Sequence, residues 1–439
     1  MPEADAAVDV HPGGRPRRYL PLVLLPAIAG AVTAVLATVA RPLMPWWMND
    51  FAVYHAAGSV VLHNGPSIYG LAVDTGNFTD LPFVYPPFGA MLFAPFAGFE
   101  LATAGVLWTF VTELCLAAIL WLSLGMVGVS SWKRRAALVV VGMVLFSCLL
   151  DPVRVNAYLG QINMLVVLLA LVDFSRSTPH RWRGIGIGIA AGIKLTPLIF
   201  VVYLVLIGRG RDALRAVLAF AGTVAVGFAV LPSDSRQYWL DGMFLSPDRI
   251  VLGFPTLVNH SLSGLLSRLT GTTAPPTWAP LVTAVLAGLG LAAAVWAHRR
   301  GQAVVGMLVV AFTSLVVSPV TWPHHILWLV PALVWLAFAR WRSGSVWLPR
   351  LILVAVIAHS SLSLYQYAQR IDGGVVYQLT TPGNLIATFG GNLAVMVPAL
   401  ALLPVWLRRL RPEPGAPTQG TPASGSGVAE SPKADPAAR

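Results

Sequence analysis

The sequence predicts an all-α polytopic membrane protein with about twelve transmembrane helices and an amphipathic helix at its outer interface. Three observations carry this. The 439 residues are 56% hydrophobic and 11% charged, whereas soluble domains carry about 25% charged residues. Apolar runs of about 20 residues recur along the whole length, each long enough to cross a bilayer. Arginine and lysine gather in short clusters between those runs, as expected of cytoplasmic connections.

The first apolar run covers residues 19–40, behind Arg15, Arg17 and Arg18. It lacks the small-residue cleavage site of a secretory signal, so it should stay as the first crossing. Later basic clusters are Lys133 to Arg135, His180 to Arg183, Arg209 to Arg211, His298 to Arg300, Arg340 to Arg342 and Arg408 to Arg411. With all of them cytoplasmic, every interval holds an even number of crossings. Run 101–129 returns the chain after the first crossing, and 136–150 pairs with 160–174. Residues 185–193 and 196–208 form two short halves, and 213–231 pairs with 281–297. The remaining pairs are 303–319 with 326–339 and 351–365 with 385–407. Residues 87–99 read as an extra short or re-entrant helix.

Three regions follow: a cytoplasmic arm (1–18), a transmembrane domain (19–411) and a Pro/Gly/Ala/Ser-rich tail (412–439), expected to be cytoplasmic and disordered. Both termini are then cytoplasmic. The long outer loops fall at about 41–86, 232–280 and 366–384. The net charge of +11 is spread over the basic clusters, so its natural partner is the membrane surface and no nucleic-acid partner is expected. Cys115 and Cys148 lie inside apolar runs and read as core residues. The outer acids Asp74, Asp80, Asp151, Asp241 and Asp248 show no metal-ligand spacing, so no metal site is expected.

The polar chemistry collects on the outer side: Asp50, Tyr54, Tyr69, Tyr85, Arg154, Gln161, Asn163, Arg249, Asn259, His260, His324 and His325. Lys194 falls between two apolar halves. An ionisable group at membrane depth marks function by default, and the plain alternative is a lysine that snorkels to the interface. Arg154 and Arg249 oppose the charge bias of the other loops, and each lies close after an acid. They are either locally paired or available to a phosphate, which suits guanidinium geometry.

Residues 49–64 read as a surface helix ended near Gly65. At about 100° per residue, Tyr54, Ala57, Gly58 and Val61 fall on the side of Asp50. His55, Ser59 and His63 fall opposite. Asp50 is then an acid at a helix N-terminus, aimed at the apolar side, where it serves as a cap, a base or both. Gln161 and Asn163 diverge on a regular helix, so they converge only if the chain is irregular there. Adjacent His324 and His325 point about 100° apart, so they suit a metal poorly, and one of them should face the side of Asp50.

Six stretches occur in a telling order: NDFAVYHAAGSVVLHNGPSIYG, LPFVYPPFGAMLFAPFA, YLGQINMLVVLLALVDF, GIAAGIKLTPLIFVVYL, SPDRI with NHSLSGLLSRL, and SPVTWPHHILWLVPAL. Together they resemble the actinobacterial polyprenyl-phosphate-mannose-dependent α-1,2-mannosyltransferases, which make phosphatidylinositol mannosides and lipomannan. The resemblance runs from about Asn49 to Pro331. It implies a GT-C-type glycosyltransferase fold in the plasma membrane, with the active site on the periplasmic face. It also implies an inverting transfer of mannose from polyprenyl-phosphate-mannose to a mannosylated glycolipid, with no cofactor beyond the lipid-linked donor.

The outer-loop acid that acts as base in that family maps onto Asp50, with His324 beside it as the second catalytic candidate. Lys194, Arg154 and Arg249 are the candidates for the donor phosphate. Tyr54, Tyr85, Gln161, Asn163, Asn259, His260 and His325 are the candidates for substrate binding. The sequence departs from the family at Asn259–Ser261 and at Pro323, which bears on acceptor contacts. Two rival readings stay open. One is transfer of another lipid-linked sugar, such as arabinofuranose. The other is a lipid or solute transporter, which should show paired broken helices near the midplane.

Overall fold

A computed structural model describes residues 48–75, 78–175, 178–246 and 259–339. The first crossing, the last two, both terminal arms, the loop at 366–384 and Arg249 lie outside these residues. The described part is all-helical, and its β-structure is a single bridge between Val73 and Leu81.

The helices follow in order as α1 (Asn49–His63), α2 (Pro87–Met91), α3 (Leu101–Met126), α4 (Trp132–Leu149), α5 (Asp151–Leu159), α6 (Asn163–Val172) and α7 (Ile185–Ile193). Then come α8 (Leu198–Leu206), α9 (Gly210–Val230), α10 (Pro232–Trp239), α11 (Leu262–Thr270), α12 (Ala279–Arg299), α13 (Ala303–Val317) and α14 (Leu329–Phe338). Helices α3, α9 and α12 are each long and apolar enough to cross a membrane, and α4 with α5 adds a span bent by 78°. Large apolar side chains stay exposed along α9 and α12, among them Leu214, Leu218, Leu281 and Leu289. An apolar solvent tolerates such exposure, and water does not.

The local signals explain the boundaries. Ser131 caps α4 by accepting from the Arg134 amide, and Ser261 caps α11 through the Gly264 amide. Pro152 enters α5 in its first turn, and Gly160 ends it at φ 68°. Gly188 and Gly192 of α7 bring it onto the backbone and Thr223 of α9, where a Cβ would collide. This is the close approach of small-residue helix pairs.

Two sequence expectations change, and that of a short helix within 87–99 is met in part. Residues 151–159 join runs 136–150 and 160–174 and read from the sequence as a brief outer connection; they instead form α5, with Pro152 in its first turn and a 78° bend from α4. Residues 87–99 hold one short helix followed by turns, with Pro95 breaking it. Cys115 is buried as expected, whereas Cys148 is exposed on α4.

Two apolar clusters hold the structure. The larger one joins α3, α4, α6, α8, α13 and α14. The smaller one lies under α1 and contains Phe51, Phe83, Phe93, Trp108 and Ile162. The Phe51 ring stacks on Trp108 with centroids 6.1 Å apart, and Phe93 packs on Trp108 at 4.8 Å. Trp108 Nε1 donates to the Gly160 carbonyl at 2.8 Å. Helix α1 and the turn before α6 therefore rest on one aromatic platform.

Candidate active site

Helix α1 begins where Met48 adopts a left-handed backbone (φ 61°) and makes no side-chain cap. Asp50 follows in the first turn, so it is not the capping residue. Its carboxylate turns to the start of α6, where Gln161 Nε2 donates to Oδ2 at 2.7 Å. The other oxygen, Oδ1, has no partner among the described residues. Burial pushes the Asp50 carboxyl up to about 6, against the pull of the Gln161 hydrogen bond and the Lys194 charge. A carboxylate so poised is a serviceable base near neutral pH.

Gln161 is a hub. Its Oε1 accepts from Tyr54 Oη at 2.8 Å, Asn163 Nδ2 at 3.1 Å and Tyr85 Oη at 3.4 Å. These bonds are possible because Gly160 ends α5 and Gln161 precedes the first turn of α6. Gln161 and Asn163 thus meet, as only an irregular backbone allows. Asn163 Oδ1 then accepts from Lys194 Nζ at 2.9 Å, and Lys194 Nζ lies 2.9 Å from His325 Nε2. Lys194 is placed by the break between α7 and α8, where its extended backbone leaves the helix. Its Nζ also stands 5.3 Å from the centre of the Tyr85 ring. One polar chain therefore runs from Asp50 through Gln161, Asn163 and Lys194 to His325.

This chain borders a cavity of about 900 Å³ whose wall includes Asp50, Tyr54, Tyr85, Gln161, Lys194, His324 and His325. Apolar residues of α12, such as Ala279, Ala284 and Ala287, form another part of the wall. The two histidine rings stand edge-to-face with centroids 4.7 Å apart, in a 3₁₀ turn that precedes α14. His324 is 5% exposed, and neither of its ring nitrogens has a hydrogen-bond partner among the described residues.

Other candidates lie elsewhere. Arg154 is not on the cavity wall. It donates to the Cys148 carbonyl at 2.8 Å and pairs with Asp151 at 3.3 Å. Asn259 is fully buried, and its Oδ1 accepts from the Ser261 and Thr321 amides at 3.1 and 3.0 Å. His260 donates its backbone amide to the Thr321 carbonyl at 2.7 Å. Neither Asn259 nor His260 lines the cavity. They fasten residues 259–261 to the loop that carries the histidines. Asn49, which the sequence reading passed over, does line the cavity. Its adjacency to Asp50 was the available signal.

The sequence model of glycosyltransferase family 87 matches residues 83–319. A polyprenol-phosphate-mannose-dependent alpha-(1-2)-phosphatidylinositol mannoside mannosyltransferase of Mycobacterium tuberculosis is 34% identical over 350 residues, covering 74% of this chain and 79% of the relative. The protein of the same name from Mycolicibacterium smegmatis is 35% identical over 361 residues, with the same coverage of both chains. A phosphatidylinositol pentamannoside mannosyltransferase of M. tuberculosis is 34% identical over 304 residues, covering 67% of this chain and 68% of its own. No solved structure matches. On this agreement across most of its length, the chain belongs to glycosyltransferase family 87.

Proposed function

We propose that the protein transfers mannose from polyprenyl-phosphate-mannose to a mannosylated glycolipid, a phosphatidylinositol mannoside or lipomannan, forming an α-1,2 linkage. The observation that carries this reading is the cavity bordered by a polar chain that starts at an ionisable base, Asp50, and includes Lys194 before it ends at His325. In the proposed step, Asp50 Oδ1 takes the proton of the acceptor hydroxyl. That oxygen attacks the anomeric carbon as the bond to the phosphate oxygen breaks. One displacement turns a β-mannosyl phosphate into an α-mannoside and releases polyprenyl phosphate. Lys194 meets the phosphate charge as the leaving group departs. His324 and His325 complete the same wall.

The fuller architecture belongs to this proposal: a GT-C-type fold of about twelve crossings, both termini cytoplasmic, and the cavity on the outer face of the plasma membrane. The apolar wall along α12 suits a polyprenyl chain. The scheme uses no cofactor beyond the lipid-linked sugar, so EDTA should leave the rate unchanged.

The test is transfer by purified protein supplied with labelled polyprenyl-phosphate-mannose and membrane acceptors, wild type against Asp50→Asn. Wild-type transfer is expected, with a loss of about 10²–10⁴-fold in the variant. Transfer that survives in the variant sinks the base assignment. Transfer of another lipid-linked sugar but not of mannose sinks the donor assignment.

A further inference from the structure

Among the described residues, two that line the cavity carry a buried side-chain polar atom with no hydrogen-bond partner: His324 and Asn49. His324 stands with His325 beside Lys194. Asn49 has no contact of that kind. It is 4% exposed, and its Nδ2 makes no hydrogen bond. Its neighbours Met48, Phe51 and Val53 are buried and apolar, so packing alone does not call for an amide there.

A buried donor without a partner is destabilising, and native proteins keep such groups mainly where a ligand satisfies them. The position says which ligand. Asn49 immediately precedes Asp50 in the first turn of α1, which Phe51 pins to the aromatic platform. Asn49 and Asp50 line the same cavity, so a sugar bound beside Asp50 lies within that shared space. On a sugar, the group next to one hydroxyl is another hydroxyl, and its oxygen accepts from an amide N–H. The donor phosphate belongs at the Lys194 end of the chain.

We propose that Asn49 is an acceptor-binding residue. Its Nδ2 donates to a hydroxyl of the terminal acceptor sugar, beside the hydroxyl that Asp50 deprotonates. The inference rests on the glycosyl-transfer reading and says how that site selects its acceptor.

The test measures acceptor binding directly, without donor, on the purified protein in detergent. The probes are a glycolipid with a terminal mannose and its monodeoxy analogues. Wild type is compared with Asn49→Ala and Asn49→Ser. Wild type should bind one monodeoxy analogue about tenfold more weakly than the parent. Asn49→Ala should bind the parent about tenfold more weakly and treat that analogue and the parent alike. Its KM for the donor should stay within about twofold of wild type. Because Nδ2 makes no hydrogen bond among the described residues, the melting temperature should hold or rise.

A variant that keeps the wild-type discrimination against every analogue overturns the inference. So does a fall of several degrees in the melting temperature of both variants, or a wild type that binds no acceptor. A wild type that binds the acceptor with this pattern but transfers no mannose fails the donor reading and leaves Asn49 in place.

Discussion

Gln161 Nε2 donates to Asp50 Oδ2 across 2.7 Å, and the groups around Gln161 decide which way its amide stands. Tyr54, Tyr85 and Asn163 all donate to Oε1, so only the amide nitrogen is left for the carboxylate. One Asp50 oxygen is thereby fixed while the other remains for a substrate proton. Gln161 is a positioning residue on this geometry: it orients the base and favours its ionised form.

The pH profile should report this. The ionised carboxylate is the active form, so the acid limb of kcat/KM should rise with pH through about 6. Gln161→Leu removes a hydrogen bond that favours the charge. The rising limb should move upward by about one to two units, because such bonds are worth about 1.5–3 kcal/mol. A limb that stays near 6 in the variant would show that Gln161 does not tune the base.

Stability should follow the opposite sense. The folded-state value of about 6 lies above the ordinary 3.8, so the folded protein holds a proton that the unfolded chain has released between these values. The stabilisation is therefore full below pH 3.8 and lost as the pH rises through about 6. Asp50→Asn removes the cost of the buried charge. Its melting temperature should exceed wild type by a few degrees at pH 7 and match it near pH 4. Scanning calorimetry at the two pH values separates this from a general loss of packing, which would lower both.

Lys194 is held by Asn163 and His325 at 2.9 Å each, so its Nζ is fixed before substrate arrives. Lys194→Met should raise the donor KM and lower kcat, with a combined loss of about 10²–10³-fold in kcat/KM. Lys194→Arg should restore little, since a planar guanidinium does not fit between those two partners. Steady-state kinetics with varied donor at saturating acceptor reads both effects. Unchanged donor kinetics in Lys194→Met would remove Lys194 from the phosphate.

Much of this was legible in the sequence, for physical reasons. Apolar length and basic clusters locate helices such as α3, α7, α9 and α13 closely, because the bilayer dictates both. Asp50 stood out as an acid at the edge of an apolar region. The partners of each polar group were not legible, because they come from distant positions: Gln161 is 111 residues from Asp50, and His325 is 131 from Lys194. Sequence set Lys194 between two apolar halves and Arg154 close after an acid but left both as phosphate candidates; the structure takes Lys194 to the cavity and pairs Arg154 with Asp151 three residues away. Nor could sequence show that Asn259 spends its acceptor oxygen on backbone amides.

That contrast gives a paired prediction. Arg154→Gln removes a guanidinium that does not line the cavity, so the donor KM should stay within about twofold. Asn259→Ala leaves two buried amides unpaired and should cost about 2 kcal/mol or more of stability. Denaturation and donor kinetics on both variants check the pair. A large donor effect in Arg154→Gln would return that arginine to the phosphate.

The last prediction concerns Gly160, which joins the base to its hub. Its φ is 68°, a left-handed backbone that costs a side chain about 1 kcal/mol. A Cβ there would also run into the Phe51 side chain and the Met48 sulfur. The same residue's carbonyl accepts from Trp108 Nε1, so the turn cannot move without pulling on the aromatic platform. Gly160→Ala should therefore lose about 2–4 kcal/mol and separate α1 from Gln161. Gly208 supplies the control: its φ is 78°, but nothing lies within 4 Å of the added atom. Gly208→Ala should lose only about 1 kcal/mol and keep full activity. If the two variants lose equal stability, the backbone alone is responsible and the seating of α1 on Gly160 carries no weight. If Gly160→Ala loses kcat while the donor KM holds, the damage lies where Gln161 meets Asp50 and not at Lys194.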